Sequence, residues 1–540
     1  MSANALSAWR HPDTSHAIQW LKDAVSLAKD GRLDAAIHPL EKYIKLKPDH
    51  FEAIHLRAEI LLKKDDFDGA IKGFTHAIQL KPLNGLPYYN LAQTLQKKGN
   101  NKEALRLYNM ALELKFEPSI TLNGMGIALR DLKRTDEAMS VFNQLITQHP
   151  DYLPGYINRC TVFLRQHQLK KAIADCDTAL GINENYLDAW YNRGFCFGEL
   201  LDYQEAHHCY HQVLLRDPDN KKVMFAMALI KLALGDYANG WKEYEVRFDD
   251  TSLGLKKPAI QHDVWDGKTP LCSKRVAVYI EQGLGDILQF CRFVPRLADM
   301  GAEVWLIAPQ SLTRLLESLD SRIHITTGEI SAPDYAITLM SLPYLLGINK
   351  ESEFGRAGYL SAPSGLVTWW QQQLGGNGRV RIGLAWSGNS THKNDHERSL
   401  ALADLLAVLP PHLDYVVVQK DIRADDAALL ASQSSHRIAQ PEKQDFADTA
   451  ALCASLDLVI SVDTSVAHLA GAVGCPLWVL LPHNPDWRWL LGRDDSPWYA
   501  GARLWRQPAH GDWQRPLQAL AQALLQAYPE LQPAVLPTGH

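Results

Sequence analysis

The sequence lacks several features that define specialised classes of protein. Only 8 of its 540 residues are cysteine and none forms a Cys-x-x-Cys pair, so neither a zinc site nor a disulfide framework is predicted. Lys and Arg total 55 against 61 Asp and Glu, and the net charge of −6 disfavours nucleic-acid binding through a basic field. Residues 1–15 contain no apolar signal core, and no apolar run reaches the ~18 residues of a membrane span, which favours a cytoplasmic protein.

The composition is that of a folded protein with several domains. Hydrophobic residues make up 46% of the chain and charged residues 21%, a balance typical of globular rather than disordered proteins. At ~100 to 200 residues per domain, the length predicts about three domains. Disorder is therefore excluded as a description of the whole chain.

The first half of the sequence repeats with a period of 34 residues. Six alanines stand 34 residues apart. A proline follows four of them at a distance of twelve residues and would end a helix there. Small residues stand twelve residues before each alanine and would let two helices approach closely. The alanines lie at 36, 70, 104, 138, 172 and 206, the prolines at 48, 82, 150 and 218, and the small residues at 24, 58, 92, 126, 160 and 194. This spacing predicts a repeat architecture.

Aromatic residues complete the pattern, four positions after four of the alanines, at 74, 108, 142 and 210. Two helices per 34 residues, with these small and aromatic positions, resemble the tetratricopeptide repeat. The resemblance implies an α-solenoid over residues 1–250, with about six repeats and a partial seventh. Stacked repeats of this kind form a superhelix whose concave face can hold an extended peptide, so the architecture predicts a protein partner.

Three asparagines occupy one position of the first helix in three repeats. Asn90, Asn158 and Asn192 are separated by 68 and 34 residues and are predicted to form a row. Because a carboxamide both donates and accepts hydrogen bonds, the row could bind the backbone of an acceptor peptide. In this it resembles the repeats of nucleocytoplasmic O-linked glycosyltransferases. The alternative is that asparagine is simply common at this helix position.

The second half alternates apolar strand candidates with helical patterns, which predicts an α/β region. A stretch rich in proline and glycine at 360–378 predicts a linker that divides this region into domains 251–368 and 369–540. Two open α/β domains of this kind would be Rossmann-like and would bind ligands at the carboxyl ends of their strands. The predicted strands cover residues 275–281, 303–308, 334–339, 380–386, 415–419, 457–462 and 477–481.

A glycine-rich turn follows the first of these strands. Gly283 and Gly285 would let a ligand approach the backbone, and Asp286 stands in the first turn of the next helix, where a carboxylate could act as a general base. The turn does not match Gly-x-Gly-x-x-Gly, because Leu288 takes the last position, so no dinucleotide cofactor is predicted. The alternative is that Asp286 only caps the helix.

A second polar loop, residues 386–395, follows the strand that opens the last domain. Ser387 and the backbone amides could hold a diphosphate, and Lys393 would offset its charge. Gln419 and Lys420, at the end of the next strand, could add to the same donor site. The alternative is an ordinary solvated loop.

A third turn joins a buried strand to a helix within residues 461–472. Thr464 and His468 are four residues apart and share one helical face, while Asp463 and Ser465 stand at the helix start. Backbone amides there could bind phosphate, and the Asp463 carboxylate could bind hydroxyls of a ribose or sugar. The alternative is a helix capped by Asp463 with an incidental histidine.

These three segments, in this order, resemble glycosyltransferase family 9, the lipopolysaccharide heptosyltransferase family. The resemblance covers most of residues 270–500 and implies a GT-B fold, a nucleotide-sugar donor and a metal-independent reaction that is usually inverting. It also implies that Asp286 is the catalytic base and that Asp463, Thr464 and His468 bind the donor. Ser465 replaces the glycine common in the family, which leaves the donor sugar open.

The fusion of repeats to such domains indicates the kind of acceptor. A saccharide acceptor does not explain the presence of six repeats, whereas a protein acceptor does. Repeat-fused transferases that resemble this chain include bacterial flagellin glycosyltransferases. The sequence thus predicts sugar transfer to a Ser or Thr hydroxyl of a flagellin-like protein, without a metal or other cofactor. Two alternatives stay open: a glycan acceptor of the lipopolysaccharide type, and an inactive scaffold or chaperone.

Overall fold

The computed structural model describes residues 13–355, 358–375, 378–391 and 394–529. These residues form helices over the first part of the chain and alternating strands and helices after it. They divide into two compact units, and the division falls between Phe197 and Gly198. Among the described residues, no helix combines the length and the apolar character needed to cross a membrane.

The first unit consists of helices joined by short turns, and successive helices pack against each other. Its last helix runs slightly past the division. The helices are α1 (Asp13–Lys29), α2 (Leu33–Leu46), α3 (Phe51–Lys63), α4 (Phe67–Leu80), α5 (Gly85–Lys97), α6 (Asn101–Glu113), α7 (Pro118–Asp131), α8 (Thr135–Gln148), α9 (Leu153–Arg165), α10 (Leu169–Ile182) and α11 (Leu187–Glu199).

The 34-residue period explains how these helices pack. The alanines of the series at 36, 70, 104, 138 and 172 are all 0% exposed. At Gly126 an added Cβ would lie 2.4 Å from the ring of Phe142, so only glycine lets α7 rest on α8 at this point. Polar caps define helix starts: the Asn100 side chain accepts a hydrogen bond from the Glu103 backbone N–H. The predicted helical repeat is confirmed.

The second unit begins with helices and continues as an α/β fold. Its helices are α12 (Tyr203–Arg216), α13 (Lys221–Ala233), α14 (Tyr237–Tyr244), α15 (Leu284–Phe290), α16 (Pro295–Asp299), α17 (Gln310–Leu316), α18 (Leu342–Leu345), α19 (Ser364–Gln373), α20 (Asp395–Arg398), α21 (Leu402–Leu406), α22 (Ala424–Ser432), α23 (Phe446–Cys453), α24 (Ser465–Ala472) and α25 (Gln514–Ala527). Its strands are β1 (Arg275–Tyr279), β2 (Glu303–Ile307), β3 (Ile323–Thr326), β4 (Tyr335–Thr338), β5 (Arg381–Ala385), β6 (Asp414–Val417), β7 (Arg437–Ala439), β8 (Leu458–Val462), β9 (Leu477–Leu481) and β10 (Ala502–Arg506).

Two parallel sheets form the α/β part. Over the described residues, the first sheet has the order β3-β2-β1-β4 and the second the order β10-β9-β8-β5-β6-β7. All pairings between these strands are parallel, as the alternation of strand and helix predicts. The strand order reverses between β1 and β4 in the first sheet and between β5 and β8 in the second. Such reversals are the points at which open parallel sheets bind ligands.

The segment predicted as a linker, residues 360–378, contains α19. Leu366, Val367 and Trp370 are spaced as one helical face, and the Trp370 indole donates a hydrogen bond to the Asp448 carboxylate at 2.9 Å. The segment stands between β4 of the first sheet and β5 of the second, and part of it is helical.

The helices α12 to α14, which the sequence assigns to the repeats, lie in the same compact unit as the two sheets. Trp241 of α14 packs on Trp487 and Phe290, with ring centres 5.2 and 6.0 Å apart. Trp241 is 2% exposed and belongs to the same core cluster as β1 and β2 residues. The end of the repeat region is therefore part of the hydrophobic core of the α/β unit.

Candidate active site

The candidate site lies where two strand-to-helix turns of the second unit meet. The turn after β1 carries Gly285 and Asp286, and the turn after β8 leads into α24, which carries His468. An added Cβ at Gly285 would lie 2.7 Å from Cδ2 of His468, so only glycine allows α15 to approach α24 this closely. The structure thus brings together the first and third segments identified in the sequence.

Asp286 is held by one bond from its own turn and one from a distant arginine. Its Oδ2 accepts from the backbone N–H of Gly283 at 2.9 Å, which is the capping contact of the alternative interpretation. Its Oδ1 accepts from Nη2 of Arg488 at 2.5 Å. Burial raises the pKa of Asp286, and the Arg488 guanidinium partly opposes this rise. The carboxylate therefore caps α15 and also faces a second turn.

Arg488 is a candidate residue that the sequence analysis missed. It lies in a short 3-10 helix, Trp487–Trp489, after β9 and is 7% exposed. Its Nη1 donates to Asp486 at 2.8 Å, and its guanidinium lies 5.6 Å from the ring centre of Phe290 and 4.3 Å from that of Trp487. A signal was available, because the rule that points to loops after parallel strands also applies to the loop after β9.

His468 and Asp463 face each other at the start of α24. Nε2 of His468 lies 3.8 Å from Oδ1 of Asp463, and its Nδ1 shares a hydrogen bond with the Tyr499 hydroxyl at 2.7 Å. Burial lowers the pKa of His468 to about 3, and the Arg488 charge adds to the effect, so the imidazole is neutral at pH 7. Burial raises the pKa of Asp463 to about 6, and the Asp486 carboxylate adds to this rise.

Thr464 and Ser465 form the start of α24. Thr464 is the N-cap residue, and its Oγ1 lies 3.2 Å from Oγ of Ser461. Both Thr464 and Ser465 are half-buried. Because the first N–H groups of a helix have no partner within it, this end of α24 is suited to an anionic ligand.

Gln419 and Ser387 bond to each other and to the loop after β5. Oε1 of Gln419 accepts from the backbone N–H groups of Trp386 and Ser387 at 2.8 and 3.2 Å, and its Nε2 donates to Oγ of Ser387 at 3.1 Å. Both side chains are buried, so Gln419 positions this loop. Lys420, next to it, is exposed. Lys393 lies outside the described residues.

Arg398 joins the loop after β5 to the turn after β8. Its Nη1 donates to the backbone carbonyl of Asp463 at 2.9 Å. Gly388 makes room for it, because an added Cβ there would lie 2.6 Å from Nη2 of Arg398. The second and third segments are therefore also brought together, at the point where the strand order of the second sheet reverses.

A buried ion pair anchors the turn that carries Asp286. Arg247 lies in the 3-10 helix Glu245–Phe248 and donates through Nη2 to both carboxylate oxygens of Glu281, at 3.0 and 3.1 Å. The same nitrogen donates to Oγ of Ser341 at 2.8 Å. Glu281 directly precedes the glycine-rich turn, so the helices before the first sheet help to set the position of Asp286.

The three asparagines of the first unit have different environments. Asn90 is buried, and its Nδ2 lies 3.1 Å from Nε2 of His55. Asn158 donates to the side-chain oxygen of Asn123 at 2.9 Å, and Asn192 donates to a backbone carbonyl one turn earlier at 2.7 Å. Asn158 and Asn192 are half-buried. The row is therefore uneven, with Asn90 committed to packing between repeats.

Comparison with known proteins supports the repeats. Family models described as tetratricopeptide repeat match residues 87–118, 124–152 and 187–220. Protein FlbA of Caulobacter vibrioides is 27% identical over 437 residues, which is 74% of this chain and 72% of that protein. Protein O-mannosyl-transferase TMTC3 of Homo sapiens is 26% identical over 119 residues, and this match spans 22% of the chain and only 13% of TMTC3.

Solved structures with similarity to the chain include two repeat proteins. A tetratricopeptide repeat protein from Parabacteroides merdae has 14% sequence identity and a TM-score of 0.40, and the match covers 45% of this chain and 95% of that one. YrrB, described as a TPR protein with an unusual peptide-binding site, has 16% identity and a TM-score of 0.28. The match covers 36% of this chain and 100% of the YrrB chain. The family-model matches show that the chain contains tetratricopeptide repeats. Two parallel sheets follow these repeats in the structure.

Proposed function

We propose that the chain is a glycosyltransferase that moves a sugar from a nucleotide-sugar donor to a Ser or Thr hydroxyl of a protein, as flagellin glycosyltransferases do. The two parallel sheets would form a GT-B pair, and the donor would be bound mainly by residues 369–540. The repeats would recruit the acceptor protein in the cytoplasm.

The close approach of α15, which carries Asp286, to α24 carries this proposal. A helix cap needs only the Gly283 contact, whereas Asp286 also pairs with Arg488, and its neighbour Gly285 lies against His468 of α24. A general base and a phosphate-binding helix start are the two parts that a sugar transfer requires in one place. Burial, which raises the pKa of Asp286, makes its carboxylate a stronger base than an exposed aspartate.

In the proposed reaction, the acceptor oxygen attacks the anomeric carbon while its proton passes to Asp286. The bond between that carbon and the phosphate oxygen breaks, and the nucleotide leaves with the bonding electrons. Backbone N–H groups at the start of α24 stabilise the charge on the leaving phosphate, assisted by Lys393 and Lys420, so no metal ion is required. Attack from the side opposite the leaving group inverts the anomeric configuration.

Different donor-binding residues would contact the phosphate and the sugar. Thr464 and Ser465 provide backbone amides for phosphate, and Asp463 accepts hydrogen bonds from hydroxyls. His468 stays neutral and buried beside Gly285, where it holds the two turns in register. Gln419 acts indirectly, because its carboxamide is used to position Ser387.

The repeats favour a protein as the acceptor. Asn158 and Asn192 are the two predicted peptide-binding residues that are not fully buried, so the backbone of an acceptor peptide would be bound at these two positions. TMTC3, which has partial similarity to the chain, is named for the transfer of mannose to proteins. That name supports a protein acceptor over a lipopolysaccharide-type glycan.

Mass spectrometry of candidate acceptors tests the proposal. Flagellin and other proteins captured by the full chain would be compared from cells that carry the wild type, Asp286→Asn and Asp299→Asn. Asp299, whose side chain is 62% exposed on α16, is the matched control. We expect a sugar-sized mass with the wild type and Asp299→Asn, and its loss with Asp286→Asn. Unchanged masses in all three, with Asp286→Asn folded and expressed, would reject the proposal.

A further inference from the structure

The structure assigns to Arg488 a role that rests on the function proposed above. We propose that Arg488 is a latch on the catalytic base. In the free protein Arg488 pairs with Asp286, and the paired carboxylate is a poor acceptor for the proton of the acceptor hydroxyl. A bound donor draws the guanidinium to its phosphate oxygens, which frees Asp286 to accept the proton of the acceptor hydroxyl.

The Asp286–Arg488 pair bridges the two sheets. Asp286 follows β1 of the first sheet, and Arg488 follows β9 of the second. The two side chains are 21% and 8% exposed, so solvent screens their attraction only weakly. A carboxylate paired with a guanidinium is a weaker base than the same carboxylate unpaired. The arrangement therefore disfavours proton transfer to Asp286 while the pair is intact.

The guanidinium of Arg488 is not fully bonded in this arrangement. Of its three nitrogens, Nη1 donates to Asp486 and Nη2 donates to Asp286. Its Nε is buried and has no hydrogen-bond partner among the described residues. A buried N–H without a partner costs free energy, which a phosphate oxygen would recover. The planar fork of a guanidinium also matches two phosphate oxygens better than it matches one carboxylate oxygen.

The groups around Arg488 allow Asp286 to be exchanged for phosphate. Asp486, from the same loop, can hold Nη1 in place while Nη2 exchanges Asp286 for a phosphate oxygen and Nε gains a partner. On the α24 side Arg488 faces Asp463 and the neutral His468, and on the α14 side it faces Tyr244. Phosphate at the start of α24 would lie on the same side as Asp463, next to the arginine.

The latch predicts that Asp286 and the donor compete for one guanidinium. Asp286→Asn removes the competing charge, so a nucleotide should bind roughly tenfold more tightly, which corresponds to ~1.4 kcal/mol. Arg488→Gln should weaken binding by roughly tenfold or more, and in that background Asp286→Asn should have no further effect. A pair with only a structural role predicts that Asp286→Asn leaves binding unchanged or weakens it.

Calorimetric titration of the full chain with UDP, GDP, dTDP and CMP measures these changes. The proteins would be the wild type, Asp286→Asn, Arg488→Gln, Arg488→Lys and the double variant, with Asp299→Asn as control and thermal unfolding as a check on folding. The latch is supported if a nucleotide binds the single variant Asp286→Asn more tightly than the wild type, and if Arg488→Lys binds it more tightly than Arg488→Gln does. Should Arg488→Gln fail to fold, the comparison of Asp286→Asn with the wild type decides.

The outcomes separate this inference from the proposed function. Nucleotide binding that is equal or weaker in Asp286→Asn overturns the latch and leaves the transferase proposal standing. Binding that Arg488→Gln does not change also overturns the latch. If none of the four nucleotides binds the wild type or Asp286→Asn, the transferase proposal fails and the latch fails with it.

Discussion

Cδ2 of His468 occupies the space that a side chain at Gly285 would need, since an added Cβ would lie 2.7 Å away. The atom belongs to a ring that also bonds Tyr499 and stacks on Trp489, with ring centres 5.5 Å apart. The ring is therefore held on several sides, and it cannot yield to a larger residue at position 285.

Gly285→Ala should consequently destabilise the second unit and lower the proposed transferase activity. We expect a loss of ~1–3 kcal/mol in the free energy of unfolding, the usual cost of overpacking a fitted contact. Gly365→Ala is the matched control, because an added Cβ there meets no atom within 4 Å and alanine favours helix α19. Thermal unfolding measures both, and equal midpoints for the two variants would contradict the packing argument.

Arg247→Met should be among the most damaging single changes to stability. It leaves Glu281 as a buried charge without its partner, which typically costs ~3–5 kcal/mol. Arg322→Met, which removes an exposed partner of Asp320, should leave the unfolding midpoint nearly unchanged. Urea denaturation of the full chain compares the two. A small effect of Arg247→Met would mean that Glu281 finds another partner or takes up a proton.

His468 should make stability depend on pH between pH 7 and pH 5. Its pKa is about 3 in the folded protein and 6.5 when unfolded, so below pH 6.5 only the unfolded chain takes up the proton. Acidification to pH 5 should cost roughly 2 kcal/mol through this residue. Asp463 acts in the opposite direction, because its pKa of about 6 lets the folded state take up a proton first as the pH falls.

The His468→Gln variant isolates this contribution. Between pH 7 and pH 5 it should lose roughly 2 kcal/mol less stability than the wild type, as measured by urea denaturation at each pH. Replacement of the exposed His324 by glutamine is the control and should follow the wild type. Parallel pH profiles of wild type and His468→Gln would show that the imidazole is not buried as described.

Asn90 and Asn192 should respond differently to alanine, although the repeat places them at equivalent positions. Asn90→Ala leaves Nε2 of the buried His55 without its hydrogen-bond partner and should cost ~1–3 kcal/mol of stability. Asn192→Ala should leave stability almost unchanged and weaken capture of the acceptor protein. Thermal unfolding and pull-down with each full-length variant distinguish the two roles. Equal acceptor capture by Asn192→Ala and wild type would remove this residue from the peptide site.

The sequence predicted the architecture well because periodic patterns are local. All seven predicted strands are present, as is the helical repeat. The strands β3, β7 and β10 were missed; all three lie at sheet edges, where each pairs with only one neighbouring strand, and β3 and β7 are also short. Within the segment predicted as a linker, helix α19 was not predicted, because its ten residues lie between prolines and glycines that dominate the local pattern.

The candidate site was predicted only in part. Asp286, Asp463 and His468 stand in turns whose form can be inferred from strand and helix signals on either side. Arg488 lies between two tryptophans in a loop without periodicity. It became a candidate only because it bonds the Asp286 carboxylate, which is about two hundred residues away in sequence. Such pairings depend on how two sheets pack, and side-chain chemistry alone does not specify that packing.

The position of Trp241 in the core of the α/β unit has a practical consequence for the design of chimeras with other repeats. A chimera that exchanged repeats at the sequence boundary near residue 250 would remove Trp241 and Arg247, and Trp487 and Glu281 would lose these contacts. A junction between Phe197 and Gly198 would keep both contacts within the recipient. Grafting of new repeats should therefore keep α12 to α14 with the α/β unit and exchange only residues before Gly198.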